Sequence, residues 1–89
     1  MATDARTNQS VDTAAIREIL ALRGSMPIDV HTLDDAADLY AAGLTSLATV
    51  GLMLALEDRF DVEFPEGMLS RATFRSIQSI ADAIGQLTA

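Results

Sequence analysis

Ala42-Gly43-Leu44-Thr45-Ser46-Leu47 is a turn of small residues that opens the most apolar helix of the chain. Gly43 releases the backbone, Leu44 offers an apolar anchor, and Ser46 stands at the helix start. From Ser46 to Arg59 every residue except Gly51 is compatible with helix. Leu47, Val50, Leu54 and Phe60 fall on one stripe, read as the core face, and Met53 and Leu56 widen it. That is more apolar face than a surface helix needs. Gly51 costs about 1 kcal/mol against alanine in mid-helix, so a close approach is expected there. Glu57 and Asp58 sit at the C-terminal end, where the helix dipole disfavours anions. They read as partner-facing acids or as plain solvated charge.

Upstream, residues 1–10 are polar and too poor in apolar residues to fold, which predicts a disordered N-terminal tail ahead of a single domain over 11–89. Asp12 or Thr13 is positioned to cap a first helix over Thr13 to Leu22, with Ile16, Ile19 and Leu20 inside, Arg17 and Glu18 outside, and Gly24 as the stop. Gly24 to Gly43 then forms a long connection with Pro27 and four aspartates. Its apolar residues Met26, Ile28, Val30, Leu33, Leu39 and Tyr40 are expected to pin it across the helices, with a short helical turn within Leu33 to Ala42.

Downstream, Pro65 suits the start of a short helix over Glu66 to Ser70. Thr73 to Ser76 supplies caps, and Ile77, Ile80, Ala81, Ile84 and Leu87 repeat as a final helix ending near Gln86. No stretch reads as a strand. The fold class is therefore all-α, with three longer helices, one short helix and a long first loop.

Composition limits the function. The formal net charge is −7, with six arginines and no lysine among the 89 residues. Such a surface repels phosphate backbones, which argues against nucleic acid. It either steers basic partners inward or simply keeps the domain soluble. No apolar run approaches the roughly 20 residues that span a bilayer, so no membrane role is expected. The absence of cysteine rules out disulfides and thiolate metal sites and suits the cytoplasm.

Catalysis fails on parts. A nucleophilic serine needs a nearby base, and the one histidine, His31, reads as an exposed loop residue among aspartates. Asp34, Asp35 and Asp38 cluster without the ligand spacing or the glycine of a calcium loop, so no metal site is expected. Met26, Met53 and Met68 read as core fillers. What remains is Ser46. A helix start gathers free backbone donors and favours a phosphate, so Ser46 is either an attachment point for a phosphodiester or an ordinary N-cap.

Gly43-Leu44-Thr45-Ser46-Leu47 is followed by Leu54-Ala55-Leu56-Glu57-Asp58-Arg59-Phe60-Asp61-Val62-Glu63-Phe64-Pro65, and Ser76-Ile77 opens the last helix. In this order the chain resembles the acyl and peptidyl carrier protein family over Ile16 to Leu87. The resemblance implies a four-helix carrier bundle with a long first loop and no catalytic residues. It implies 4′-phosphopantetheine, transferred from coenzyme A by a phosphopantetheinyl transferase onto Ser46, whose thiol holds a cargo as a thioester. A cargo-loading ligase or acyltransferase and a downstream acceptor enzyme are the further partners it implies for a monomeric carrier. They would dock on the second helix and the turn before it, at Leu44, Thr45, Leu47, Ala48, Gly51, Leu52, Glu57 and Asp58.

The departures from the family pattern also inform. Thr45 stands where aspartate is common, and Ala48 and Gly51 stand where fatty-acid carriers commonly have acids. Tyr40-Ala41-Ala42-Gly43-Leu44-Thr45-Ser46 is similar to stand-alone bacterial carriers charged with amino acids by synthetase-like ligases. The expected function is thus a stand-alone acyl or aminoacyl carrier. The alternative is an unmodified helical interaction module with the same fold.

Overall fold

The computed structural model describes residues 12–88. The expected tail over residues 1–10 lies outside the described residues. Three α-helices make the frame: α1 (Thr13–Arg23), α2 (Ser46–Phe60) and α3 (Ile77–Thr88). Short 3₁₀ turns occupy Val30–Thr32 and Glu66–Met68, and there is no strand among the described residues. The second 3₁₀ turn stands where the short fourth helix was expected. In the first loop a 3₁₀ turn forms at Val30–Thr32, and a helical turn lies within the expected Leu33 to Ala42 as well, where the Ala42 N–H donates to the Asp38 carbonyl at 3.1 Å.

Each helix is bounded by the chemistry of its ends. Asp12 accepts a hydrogen bond from the Ala14 N–H and caps α1, while the Gly24 N–H closes on the Leu20 carbonyl. α2 ends at Asp61, whose left-handed backbone (φ 54°) lets its N–H reach the Glu57 carbonyl. At α3 two serines cap reciprocally: the Ser79 N–H donates to Ser76 Oγ and the Ser76 N–H donates to Ser79 Oγ.

α1 packs against both α2 and α3. Ile16 and Leu20 from α1, Leu52 and Leu56 from α2, and Ile77, Ile80 and Ile84 from α3 are fully buried. Phe64 and Phe74 close one end of the core edge to face, their ring centroids 5.4 Å apart. The stripe of α3 is the one its periodicity predicts. That of α2 is not. Leu47 is 85% exposed, Val50 53% and Leu54 56%. The inward face is instead Leu52 and Leu56, with Ala48 and Ala55 packed beside them. α2 is apolar on most sides, so spacing alone left its rotation undetermined; contact with α1 settles it.

The long loop is pinned by three buried side chains, Val30, Leu39 and Leu44. The Leu39 N–H donates to the Arg75 carbonyl at 2.7 Å, and the Gln78 N–H to the Asp35 carbonyl at 2.9 Å. Arg17, expected outside, is half-buried. Its guanidinium donates to the Val30 carbonyl at 2.7 Å and pairs with Asp35, which ties α1 to the loop.

Leu52→Ala should therefore lower the unfolding free energy by about 2–5 kcal/mol, the range for a large side chain deleted from a core. Val50→Ala should leave it within about 0.5 kcal/mol, as for a surface site. Urea titrations of both variants give the comparison; equal losses would contradict this rotation of α2.

Candidate functional site

The approach to Ser46 is built by Gly43 and Leu44. Gly43 has φ +119°, a backbone that side chains rarely adopt, and a Cβ there would lie 2.6 Å from Pro27 Cδ. Only glycine lets the loop turn this closely across its own beginning. The Leu44 N–H then donates to the Leu39 carbonyl at 2.9 Å while its side chain enters the core. The chain leaves this anchor extended at Thr45 and coils from Ser46 onward.

The N-cap of α2 is Thr45. Its Oγ1 accepts from the Ala48 N–H at 3.0 Å, and its carbonyl accepts from Thr49 Oγ1 at 2.7 Å. Ser46 is consequently not the cap. It occupies the first helical position, exposed, beside backbone donors that an anion can use. The ordinary reading of Ser46 as a capping serine is removed by its neighbour.

An open groove of about 490 Å³ runs from Ser46 between α2 and the segment before α3. Val50 and Met53 of α2 and Leu69 give it apolar lining, and Tyr40 and Arg71 line it as well. The Arg71 guanidinium carbon lies 4.0 Å from the centroid of the Tyr40 ring. No carboxylate among the described residues lines this groove. Asp38, nearby in the loop, accepts from the Ala41 and Tyr40 N–H groups and faces Arg75 at 3.7 Å. The Ala41 N–H, helped by that of Tyr40 and by Arg75 and Arg71, holds its carboxyl below the usual carboxylate range against a smaller desolvation effect.

The residues expected to meet partners separate in the structure. Thr45, Ser46 and Leu47 are exposed together at the start of α2, and Asp58 is exposed at its far end. Leu44 (4% exposed) and Leu52 (0%) are core residues, so neither belongs to a docking surface. Glu57 is half-buried and accepts the Phe64 N–H at 2.9 Å, which fixes the chain after α2. The close packing expected at Gly51 is absent among the described residues: a Cβ there meets nothing within 4 Å. Gly51 instead lines an open surface with Leu22 and Leu54, to which Arg23, Asp58 and Arg59 also contribute. In sequence Tyr40 reads only as a residue pinning the loop and as part of the stretch leading to Ser46, and Arg71 has no local signal, because it lies in irregular chain far from Ser46. His31 is exposed, and no cluster of metal-ligating side chains occurs among the described residues. No helix described is long and apolar enough to cross a membrane.

Comparison with known proteins gives concordant matches. A family model described as a phosphopantetheine attachment site matches residues 14–84. The aminoacyl carrier protein of Agrobacterium fabrum is 55% identical over 71 residues, which cover 80% of this chain and 86% of that protein. A chain in the crystal structure of an engineered Bradyrhizobium japonicum glycine:[carrier protein] ligase, complexed with carrier protein from Agrobacterium tumefaciens and AMP, matches with a TM-score of 0.80. It is 53% identical, with 82% of this chain and 97% of that one covered. A solution structure from Agrobacterium tumefaciens matches with a TM-score of 0.69 at 52% identity, over 84% of this chain and 90% of the other.

The division of labour at the turn has a measurable consequence. Thr45→Ala should cost about 0.5–2 kcal/mol, as for a lost N-cap, whereas Ser46→Ala should change stability by less than about 0.5 kcal/mol, as for an exposed site. Thermal unfolding of the two unmodified variants decides; a larger loss at Ser46 would return it to the role of cap.

Proposed function

The chain belongs to the carrier protein family defined by a phosphopantetheine attachment site, in its aminoacyl carrier branch, and we propose that Ser46 is the residue that bears the group. It is a carrier protein whose cofactor is covalent 4′-phosphopantetheine. Bound, that group supplies a thiol at the end of a flexible arm, on which an acyl or aminoacyl cargo is held as a thioester.

One observation carries the assignment to Ser46: Thr45 takes the cap, so the Ser46 hydroxyl stands exposed at the first turn of α2. The surroundings fit a phosphodiester. Backbone N–H groups at the helix start and the Arg71 side of the groove favour an anion, and no carboxylate described lines the groove. Gly43 and Leu44 hold the turn so that the hydroxyl faces solvent. Membership of the carrier family supports reading the protein as one that is modified by an enzyme and is not one itself.

The cargo we propose is an amino acid, loaded by an ATP-dependent ligase of the kind found with the matched carrier chain. A phosphopantetheinyl transferase and a downstream acceptor are the other partners. Cytoplasmic location is part of the same reading, since charging draws on coenzyme A and ATP. The docking face is the outward side of α2. Leu47, Val50 and Leu54 are exposed there in succession from Ser46, with Gly51 between them leaving room for a close approach. Thr45, Ala48 and Asp58 border this strip. Docking that must be brief suits a small apolar patch on an acidic surface.

Incubation with coenzyme A and a broad-specificity phosphopantetheinyl transferase should raise the intact mass by one phosphopantetheinyl group, and Ser46→Ala should abolish the gain. A gain that survives Ser46→Ala refutes the attachment site; no gain in either protein leaves an unmodified interaction module. With ATP, glycine and a glycine:carrier protein ligase, the modified protein should form an aminoacyl thioester. Loading by fatty acyl groups alone would refute the aminoacyl cargo.

Leu47→Arg should melt as the parent does but load more slowly, by roughly tenfold if one apolar contact is lost. Unchanged loading rates would remove the outward side of α2 as the docking face.

A further inference from the structure

We infer that the groove between the end of α1 and the flank of α2 is a docking surface for an apolar, acid-bearing helix of a partner enzyme. Leu22 and Leu54 are its apolar contacts, and Arg23 and Arg59 are the cations that meet the partner's carboxylate. The inference rests on the outward side of α2 as the docking face. It adds an α1 element to that face and fixes the sign of the charge opposite it.

Exposed carbon is the first argument. Gly51, Leu54 and Asp58 recur at helical spacing and share one face of α2, and Leu22 and Arg23 complete the groove from the end of α1. Leu22 is 80% exposed. At that exposure the fold does not need a leucine, since a straight-chain polar residue favours helix about as well. A Cβ at Gly51 would meet nothing within 4 Å, which leaves the groove unobstructed on the α2 side. The groove encloses about 460 Å³, and an open trough between two helices accepts the apolar face of a third.

Charge is the second argument, and it selects the occupant. The chain has six arginines against thirteen acids, yet two arginines line this groove with a single carboxylate, Asp58. The ion pairs among the described residues engage Arg17 and Arg75, not Arg23 or Arg59. The Arg59 guanidinium carbon stands 5.6 Å from the centroid of the Phe60 ring, which limits the freedom it loses on binding. Each arginine lies in the last turn of its helix and complements the dipole there. The dipole explains a cation at either helix end; it does not explain two cations on one groove beside an exposed leucine. Leu54 and Gly51 also belong to the strip that begins at Leu47, so a segment seated on the strip continues into the groove. A carboxylate on that segment finds two arginines, whereas a basic segment is held off by them.

The test loads the phosphopantetheine-modified protein with glycine, using ATP and a glycine:carrier protein ligase. Leu22→Ala and the double variant Arg23→Gln/Arg59→Gln alter exposed side chains and should melt as the parent does. Leu22→Ala should lower kcat/KM about three- to tenfold by raising KM at unchanged kcat. The double variant should lower it about two- to fivefold and flatten the fall of loading rate with added salt. Gln86→Glu, which makes α3 more acidic outside the groove, should do neither. Faster loading of the double variant would mean a basic segment opposite and would overturn the inference. If Leu22→Ala and the double variant load as the parent does while Leu47→Arg is slow, the groove is wrong and the outward side of α2 stands; if Leu47→Arg is also unaffected, both fall. A concentration-dependent dimer in sedimentation, lost in Leu22→Ala, would give the groove to a second copy and overturn the inference as well.

Discussion

A single backbone hydrogen bond, from the Leu39 N–H to the Arg75 carbonyl at 2.7 Å, joins the long loop to the segment that leads into α3. Everything at the site depends on that junction. With Leu39 and Leu44 both buried, the four residues between them have only a tight turn available. The turn closes because Gly43 takes φ +119° against Pro27, where any side chain would collide. The start of α2, and Ser46 with it, is thereby placed at the rim of the core. Loops of this length are usually mobile or functional; here two backbone bonds, three buried side chains and the Arg17 clamp make the loop a strut.

α2 has to serve two surfaces at once. Leu52 and Leu56 hold it to the bundle, and Leu47, Val50 and Leu54 are left in water. A small domain is only modestly stable, and exposed leucines beyond need are a liability. Their retention in an unbroken strip beside the attachment serine fits a carrier that must be recognised repeatedly and released quickly. Gly51 belongs to the same logic. Its cost in helix propensity is not recovered by any contact within the described residues, and the open space above it is available to a partner.

Local charge departs from the average in a way that matters for the phosphate. The surface is acidic overall, yet Asp38, the acid in the loop beside the site, is committed to capping the turn at Tyr40 and Ala41. Farther off, Asp35 pairs with Arg17, and Glu57 in the last turn of α2 secures the Phe64 N–H. With Thr45 rather than an acid before the serine, the cap is neutral as well. The groove at Ser46 is left with an arginine and apolar carbon as its principal surfaces.

The sequence by itself determined the all-α class, the three helices to within a residue or two at most ends, the glycine turn and the serine that follows it. These are local matters: propensity, caps and a backbone angle that only glycine accepts easily. The periodic α3 could be oriented as well, because its apolar residues occupy a single stripe. The rotation of α2 was decided only in three dimensions, since a helix apolar on most sides offers several equivalent faces and only packing against α1 selects one. The same holds for Arg17, whose burial depends on the loop carbonyl it meets, and for Leu52, which pattern alone could not tell from a surface residue. The pairing of Arg71 with Tyr40 beside Ser46 belongs wholly to the tertiary structure. Its parts lie in irregular segments without periodicity, and only the closed loop brings them to one groove.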